Sequence, residues 1–173
     1  MTQKQILLKN GNVISLEEWQ LENNYTPEQL GLFFSVTEHA FQNDFIISEI
    51  LLNFLDTARA AINRPMILNS VYRPQTKQNE LISQGATETK LSPHTLGLAA
   101  DIDFKTKLET ANAAKILEKT AINIGINIRL GFVKYLKRGQ TFIHVDVAPE
   151  YFAKNKPLHK QAHAWQWEVK SRW

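Results

Sequence analysis

The chain has 173 residues and no cysteine, which excludes disulfide bonds, cysteine nucleophiles and cysteine-ligated zinc sites. A hydrophobic content of 43% and a charged content of 21% are typical of a globular protein with a real core, so we expect one domain over residues 1–173. The net charge of +3 is mild and suits an anionic polymer no better than it suits a protein without a charged partner.

The N-terminal region begins without an apolar run long enough for a signal peptide, and no stretch approaches the ~20 apolar residues of a transmembrane helix. We therefore expect synthesis in the cytoplasm and no membrane span. The turn sequence Asn-Gly-Asn at 10–12 predicts a small hairpin between residues 6–8 and 13–15. The segment Ser15-Leu16-Glu17-Glu18 resembles a capping box and predicts the start of a short helix. Pro27 at a first helical position predicts another helix to about Gln42.

Two longer helices are predicted from apolar residues that recur every three or four positions. The first spans Phe45 to Ile62. The second spans residues 107–122, and Gly125 is its expected end. Its apolar set is Leu108, Ala111, Ala114, Ile116, Leu117 and Ala121.

Strands are predicted at residues 66–72, 98–104, 126–133 and 141–147, and a basic turn is predicted at 134–140. The last two strands are expected to pair antiparallel. With helices first and then strands mixed with one long helix, this order indicates an α+β fold, with helices packed on a mostly antiparallel sheet.

Three histidines outside these strands, His39, His159 and His163, carry no recognisable motif. We interpret His39 as a helix-surface or partly buried residue, and His159 and His163 as solvated, because no acid lies near them. Trp165 and Trp167 are expected to pack on the core more readily than to stack on a sugar.

A histidine and a carboxylate lie seven positions apart in residues 91–103, as His94 on a loop and Asp101 in a strand. Alternation along that strand places Asp101 and Asp103 on one face. An imidazole nitrogen and a carboxylate oxygen form a usual partial ligand set for Zn²⁺. An isolated pair of this kind is nevertheless more often a solvated histidine beside exposed acids.

The strand at 141–147 supplies the third ligand of this predicted site. His144 and Asp146 lie on one face, with apolar side chains on the other. Pairing with the strand at 98–104 would bring His144 close to His94 and Asp101. Three ligands with one open coordination position are typical of catalytic zinc.

Three motifs resemble those of the zinc D-Ala-D-Ala carboxypeptidase and murein endopeptidase family. They cover residues 66–148 in the family's order and are its arginine motif, its zinc signature and its third-ligand strand: Ser70-Val71-Tyr72-Arg73, Ser92-x-His94-x-x-Gly97-x-Ala99-x-Asp101 and Phe142-Ile143-His144-Val145-Asp146. The resemblance implies the fold that these peptidases share with the hedgehog signalling domain. It also implies Zn²⁺ as the cofactor.

The resemblance further implies roles for the site residues. Zinc held by His94, Asp101 and His144 would lower the pKa of a bound water and polarise the scissile carbonyl. Arg73 would bind a substrate carboxylate or carbonyl through paired hydrogen bonds. Ser92 would either contact the substrate or stabilise the loop that carries His94.

The general base departs from the family pattern. Members place an acid three residues before the last zinc histidine, or a histidine two before it, where this chain has Thr141 and Phe142. Asp146 is the nearest alternative. It would act either as the base or as the acceptor that orients a histidine ligand, and both roles remain open.

Three functions are consistent with this sequence. The first is a monomeric zinc peptidase that cuts peptidoglycan stem or cross-link peptides, as a carboxypeptidase or an endopeptidase, and reaches the cell wall through a phage lysin, a virion or another export route. The second is a cell-wall-binding or phage structural module that keeps zinc but has lost catalysis. The third, a nucleic-acid-binding domain, is supported only by mild basicity, so no nucleic-acid partner is expected.

Overall fold

The computed structural model describes residues 4–15, 17–18, 34–36, 45–64 and 66–154. Its strands are β1 (Lys4–Leu7), β2 (Val13–Ser15), β3 (Phe34–Val36), β4 (Phe45–Ser48), β5 (Met66–Ser70), β6 (Ala99–Asp103), β7 (Arg129–Gly131) and β8 (Phe142–Asp146). Its helices are α1 (Glu49–Ile62), α2 (Gln75–Ser83), α3 (Lys107–Ile124), α4 (Val133–Lys137) and α5 (Ala148–Lys154), and a 3-10 turn spans Pro93–Leu96. Across the described residues, no helix combines the length and the apolar character needed to cross a membrane.

The larger of two sheets has five strands in the order β3-β5-β6-β8-β7. Its β3–β5 pair is parallel and its other pairs are antiparallel. The smaller sheet has the order β2-β1-β4, and its β1–β2 pair is the hairpin predicted around residues 10–12. The fold is α+β with a mostly antiparallel main sheet, as predicted.

The main sheet has one apolar face and one polar face, because side chains alternate along each strand. Ala100 and Ile102 of β6 and Ile143 and Val145 of β8 are fully buried in the core cluster, to which α1 and α3 also contribute. Asp101 and His144 are cross-strand partners in the antiparallel register of β6 and β8. The opposite face of the central strands therefore carries the polar residues.

The ends of α1 and α3 follow local sequence signals. Ser48 caps α1 by accepting a hydrogen bond from the Ile50 amide, and Asn63 ends that helix in a left-handed conformation. Thr106 and Glu109 form a reciprocal capping box at the start of α3, and Gly125 ends it as predicted.

The loop that carries His94 is seated against the smaller sheet through Gly97. The Ser48 amide donates to the Gly97 carbonyl at 2.8 Å. Gly97 has φ +66°, and a Cβ built on it would lie 2.6 Å from the Ile46 carbonyl oxygen. A glycine is therefore required here both by the backbone conformation and by the close approach of β4.

Two predicted helices prove to be partly strand. Residues 45–48 form β4 before α1 begins, because Ile46 and Ile47 pair in parallel with β1 and that pairing outweighs their helical spacing. Residues 34–36 form β3 beside β5, inside the segment predicted as a helix up to Gln42; the rest of that segment, including His39, lies outside the described residues.

Two predictions in the second half are also wrong. The basic segment expected as a turn forms α4 at Val133–Lys137, and the strand before it shortens to Arg129–Gly131. Leu108, expected in the apolar stripe of α3, is 71% exposed because it lies on the outer face of the first turn. The tail from residue 155, with His159, His163 and the tryptophans, lies outside the described residues.

Candidate metal centre

The three predicted ligands converge on the polar face of the main sheet. His144 Nδ1 lies 2.9 Å from Asp101 Oδ1, and His94 Nε2 lies 3.4 Å from the same oxygen. The two ring nitrogens are 3.3 Å apart. One ligand atom from each residue thus lies within 4.8 Å of the others, so the group could hold a metal ion.

His94 is oriented by the backbone around it. Its Nδ1 lies 2.9 Å from the Val71 carbonyl oxygen, which can only accept a hydrogen bond. This contact fixes the proton on Nδ1 and leaves the Nε2 lone pair facing Asp101 and His144. The Arg73 amide donates to the His94 carbonyl at 3.0 Å and ties the loop to the end of β5.

His144 is oriented from its other ring nitrogen by Asp146. His144 Nε2 lies 3.2 Å from Asp146 Oδ2, while Nδ1 faces Asp101. Asp146 also accepts from Arg129 Nε at 3.0 Å to each carboxylate oxygen and from the Ala148 amide at 3.1 Å. The carboxylate is therefore held on several sides, away from the ring nitrogen that faces Asp101.

Arg129 is a site residue that the sequence interpretation missed. It is the cross-strand partner of Asp146 in the β7–β8 register, and both side chains are buried. The antiparallel pairing of these strands was predicted from the sequence. The register that places the guanidinium beside Asp146 was not, although it follows from the shared face once the strand bounds are known.

Arg73 lies beside the ligands at the end of β5. Its Nη1 donates to Gln78 Oε1 at 2.9 Å, its Nη2 donates to Ser70 Oγ at 3.1 Å, and Nη2 lies 3.9 Å from Asp101 Oδ2. Gln78, which the sequence interpretation missed, is buried on α2 and donates to the Thr89 carbonyl at 2.6 Å. The guanidinium is thus positioned by two neutral side chains and a carboxylate.

Ser92 is buried at the start of the 3-10 turn, and its carbonyl oxygen accepts from both the amide and the hydroxyl of Thr95, at 2.9 and 2.7 Å. Its side chain makes no capping hydrogen bond. Through its backbone, Ser92 stabilises the loop that carries His94.

The candidate ligands and Asp146 shift one another's pKa values. Burial acts to lower the pKa of His144, but hydrogen bonds and charges from Asp101 and Asp146 outweigh it and raise the pKa to about 9. Burial acts to raise the pKa of Asp101, but His94 and His144 hold it well below its ordinary value. Two imidazoles and an ionised carboxylate in one buried cluster fit a divalent cation that replaces the proton on His144.

The positions where the family places its base carry no acid. Thr141 uses its carbonyl oxygen to accept from the Phe104 amide and from the Thr110 hydroxyl. Phe142 stacks on Tyr135, with ring centroids 4.1 Å apart. Asp103, on the same face of β6 as Asp101, has a pKa raised by burial and by the Asp101 charge.

No family model and no curated protein matches this chain. Among solved structures, the L-Ala D-Glu endopeptidase ChiX of Serratia marcescens aligns with it at a TM-score of 0.51 and 20% identity, over 58% of this chain and 80% of that one. The two chains share a fold. The likeness supports the predicted architecture, the hedgehog/DD-peptidase-like arrangement of helices on a mostly antiparallel sheet.

Proposed function

We propose that this protein is a zinc-dependent peptidase that hydrolyses peptide bonds of peptidoglycan, in stem or cross-link peptides. The observation that carries the proposal is the convergence of His94 Nε2, Asp101 Oδ1 and His144 Nδ1 on a polar sheet face. Arg73 beside them supplies a cationic group that can bind a carboxylate or carbonyl of a peptide substrate. Both a carboxypeptidase and an endopeptidase, including a phage lysin, fit this arrangement.

Zinc is the proposed metal because two imidazole nitrogens and one carboxylate oxygen are donors that Zn²⁺ takes in proteins. Three protein ligands leave a coordination position open. Bound there, zinc would supply Lewis acidity and an activated water. His94, Asp101 and His144 would hold it.

Asp146 is proposed to orient His144 and not to accept the substrate water's proton. The support for this choice is that Asp146 contacts Nε2, while Nδ1 faces the other two ligands. Arg129 and the Ala148 amide also donate hydrogen bonds to the Asp146 carboxylate. An outer carboxylate of this kind fixes the tautomer of a ligand and raises its basicity.

Arg73 is proposed to bind the peptide beside the bond to be cut. Gln78 and Ser70 hold its guanidinium in one orientation, so little side-chain freedom is lost when a substrate carbonyl or carboxylate binds. In the hydrolysis, the water oxygen adds to the carbonyl carbon and the C–N bond breaks. One of the water's protons ends on the leaving nitrogen, which departs as an amine.

The substrate class is supported by the fold and by the resemblance of the three motifs. ChiX is an L-Ala D-Glu endopeptidase, and its substrate therefore contains a D-amino acid. The motifs of this chain resemble those of murein peptidases independently of that comparison. Both point to peptides that contain D-amino acids.

Two measurements on the purified protein test the proposal. Metal analysis should find about one zinc per chain, and His94→Ala should abolish it. His163→Ala, which changes a histidine predicted to be solvated, is the matched control and should keep the metal. Incubation with purified murein, followed by separation of the released peptides, should show cleavage that a chelator stops. A wild-type protein that stays metal-free in zinc-containing buffer would refute the site.

A second candidate, a zinc-containing cell-wall-binding module without activity, is favoured by one observation. Thr141 and Phe142 replace the family's proton-handling residues, and both are engaged in packing or backbone contacts. Sedimentation of the protein with insoluble murein, without release of peptides, would support this module and reject the peptidase.

A further inference from the structure

A tyrosine lies beside the ligand cluster, in the connection between β7 and β8. Tyr135 of α4 stacks on Phe142 with ring centroids 4.1 Å apart and planes at 32°. A Cβ built on Gly131 would lie 3.8 Å from Tyr135 Cε2 and 3.7 Å from His144 Cβ. Gly131 is also the cross-strand partner of His144. One edge of the tyrosine ring is therefore held next to the strand position that carries a metal ligand.

Two of the three charges that act on the Tyr135 hydroxyl, Asp101 and Arg73, belong to the site. Burial raises its pKa and the negative charge of Asp101 raises it further, while Arg138 and Arg73 oppose the rise. The phenol is therefore neutral and can donate a hydrogen bond. Its environment includes both a predicted ligand and the predicted substrate-binding arginine.

This hydroxyl has no acceptor within the part of the chain that the structure describes, although the ring is half-buried. Tyrosine hydroxyls in such surroundings usually find a partner. A donor that interacts electrostatically with Asp101 and Arg73 and has no acceptor among the described residues is available to a bound molecule.

We infer that the Tyr135 hydroxyl donates a hydrogen bond to the carbonyl oxygen of the scissile peptide bond as that oxygen becomes negative. The inference rests on the proposed peptidase function and adds a substrate-contacting residue to it. When the water oxygen adds to the carbonyl carbon, the π electron pair moves to the carbonyl oxygen. Tyr135 keeps its proton throughout, and the electron pair returns when the C–N bond breaks.

A donor at this position would act mainly on the transition state. Charge develops on the oxygen only during the reaction, so the hydrogen bond is stronger then than with the bound substrate. The expected signature is a fall in kcat with KM little changed. The metal ligands do not depend on the hydroxyl, so zinc affinity should stay at the wild-type value.

The test compares Tyr135→Phe, which keeps the ring that stacks on Phe142, with Tyr151→Phe, which removes a tyrosine hydroxyl from α5. One readout is turnover on the murein peptide that the wild type cleaves; Tyr135→Phe should lower kcat by about 10²-fold. The other readout is the affinity, measured by calorimetry, for two non-cleavable analogues of that peptide. A phosphinic analogue presents the tetrahedral oxygens, and a methyleneamine analogue lacks the carbonyl oxygen.

Tyr135→Phe should bind the phosphinic analogue at least about 10-fold more weakly and the methyleneamine analogue as the wild type does. Tyr151→Phe should match the wild type with both. Equal kcat and equal phosphinic affinity in Tyr135→Phe would overturn this role while leaving the peptidase intact. A wild-type protein that cleaves no murein and binds neither analogue would overturn the proposed function, and the role of Tyr135 with it.

Discussion

His144 and Asp146 lie two residues apart on one face of β8, and the histidine Nε2 is 3.2 Å from the aspartate Oδ2. The other ring nitrogen of His144 faces Asp101 and His94. Asp146 thus contacts His144 through the ring nitrogen that does not face the other two candidate ligands. The Asp146 carboxylate also forms an ion pair with Arg129 at 3.0 Å. The sequence left two roles open for Asp146, and this contact supports the proposed orienting role over the role of general base.

Asp146→Asn should lower zinc affinity by about 10–100-fold, because the amide is a weaker partner for His144 than the carboxylate. Competition with a chromogenic chelator measures the affinity. Turnover at saturating zinc should fall much less. Glu150→Gln is a matched control, since it neutralises a buried carboxylate that accepts from Asn127 in the connection between α3 and β7. The opposite pattern, a loss of 10²–10⁴ in turnover at wild-type zinc affinity, would make Asp146 the general base.

Arg73→Lys should strongly impair turnover while zinc content and fold stay intact. An ammonium cannot reproduce the fork that Gln78 and Ser70 hold in place. Steady-state kinetics on murein peptides and metal analysis check this. Arg64→Lys is the control, because Arg64 pairs with Glu109 at 2.8 Å on the helical side of the molecule. Unchanged kinetics in Arg73→Lys would remove this residue from the site.

Gly97→Ala should lower both stability and zinc affinity. The new Cβ would approach the Ile46 carbonyl oxygen at 2.6 Å, so the loop that carries His94 must move away from β4. Gly85→Ala is the matched control, since Gly85 has φ +69° and no atom within 4 Å of a built Cβ. It should cost only about 1–2 kcal/mol for the left-handed conformation and leave zinc affinity unchanged. Chemical denaturation and metal titration measure the two effects; equal results for both variants would contradict the close contact.

After a chelator has removed any metal, the protein should lose stability as the pH rises. The pKa of His144 is raised from 6.5 to about 9, so its contribution is complete below pH 6.5 and is lost as the pH passes 9. The full effect corresponds to about 3 kcal/mol at most. Urea unfolding at pH 6.5 and pH 9.5 measures it. His144→Gln should remove most of this difference, and a wild-type stability that stays constant over this range would contradict the shift.

Local sequence determined much of the candidate ligand set. His94 follows a Ser-Pro turn, and period-two alternation places Asp101 and His144 on the polar face of strands whose other residues are apolar. Both strands are strongly apolar on one face, so the alternation alone predicts which face is buried in the core. The same holds for α3, whose capping box and terminal glycine lie within a few residues of its ends.

Only the tertiary structure decided the surroundings of those candidate ligands. Arg129 reaches Asp146 through the β7–β8 register, Gln78 reaches Arg73 from α2, and Tyr135 reaches the site because the basic segment forms α4. Residues 45–48 became a strand because β1 pairs with them. Each of these contacts joins residues of separate elements. Strand register and helix placement depend on how much apolar surface the whole core buries. Local periodicity predicts which face a residue occupies, but not which distant side chain meets it there.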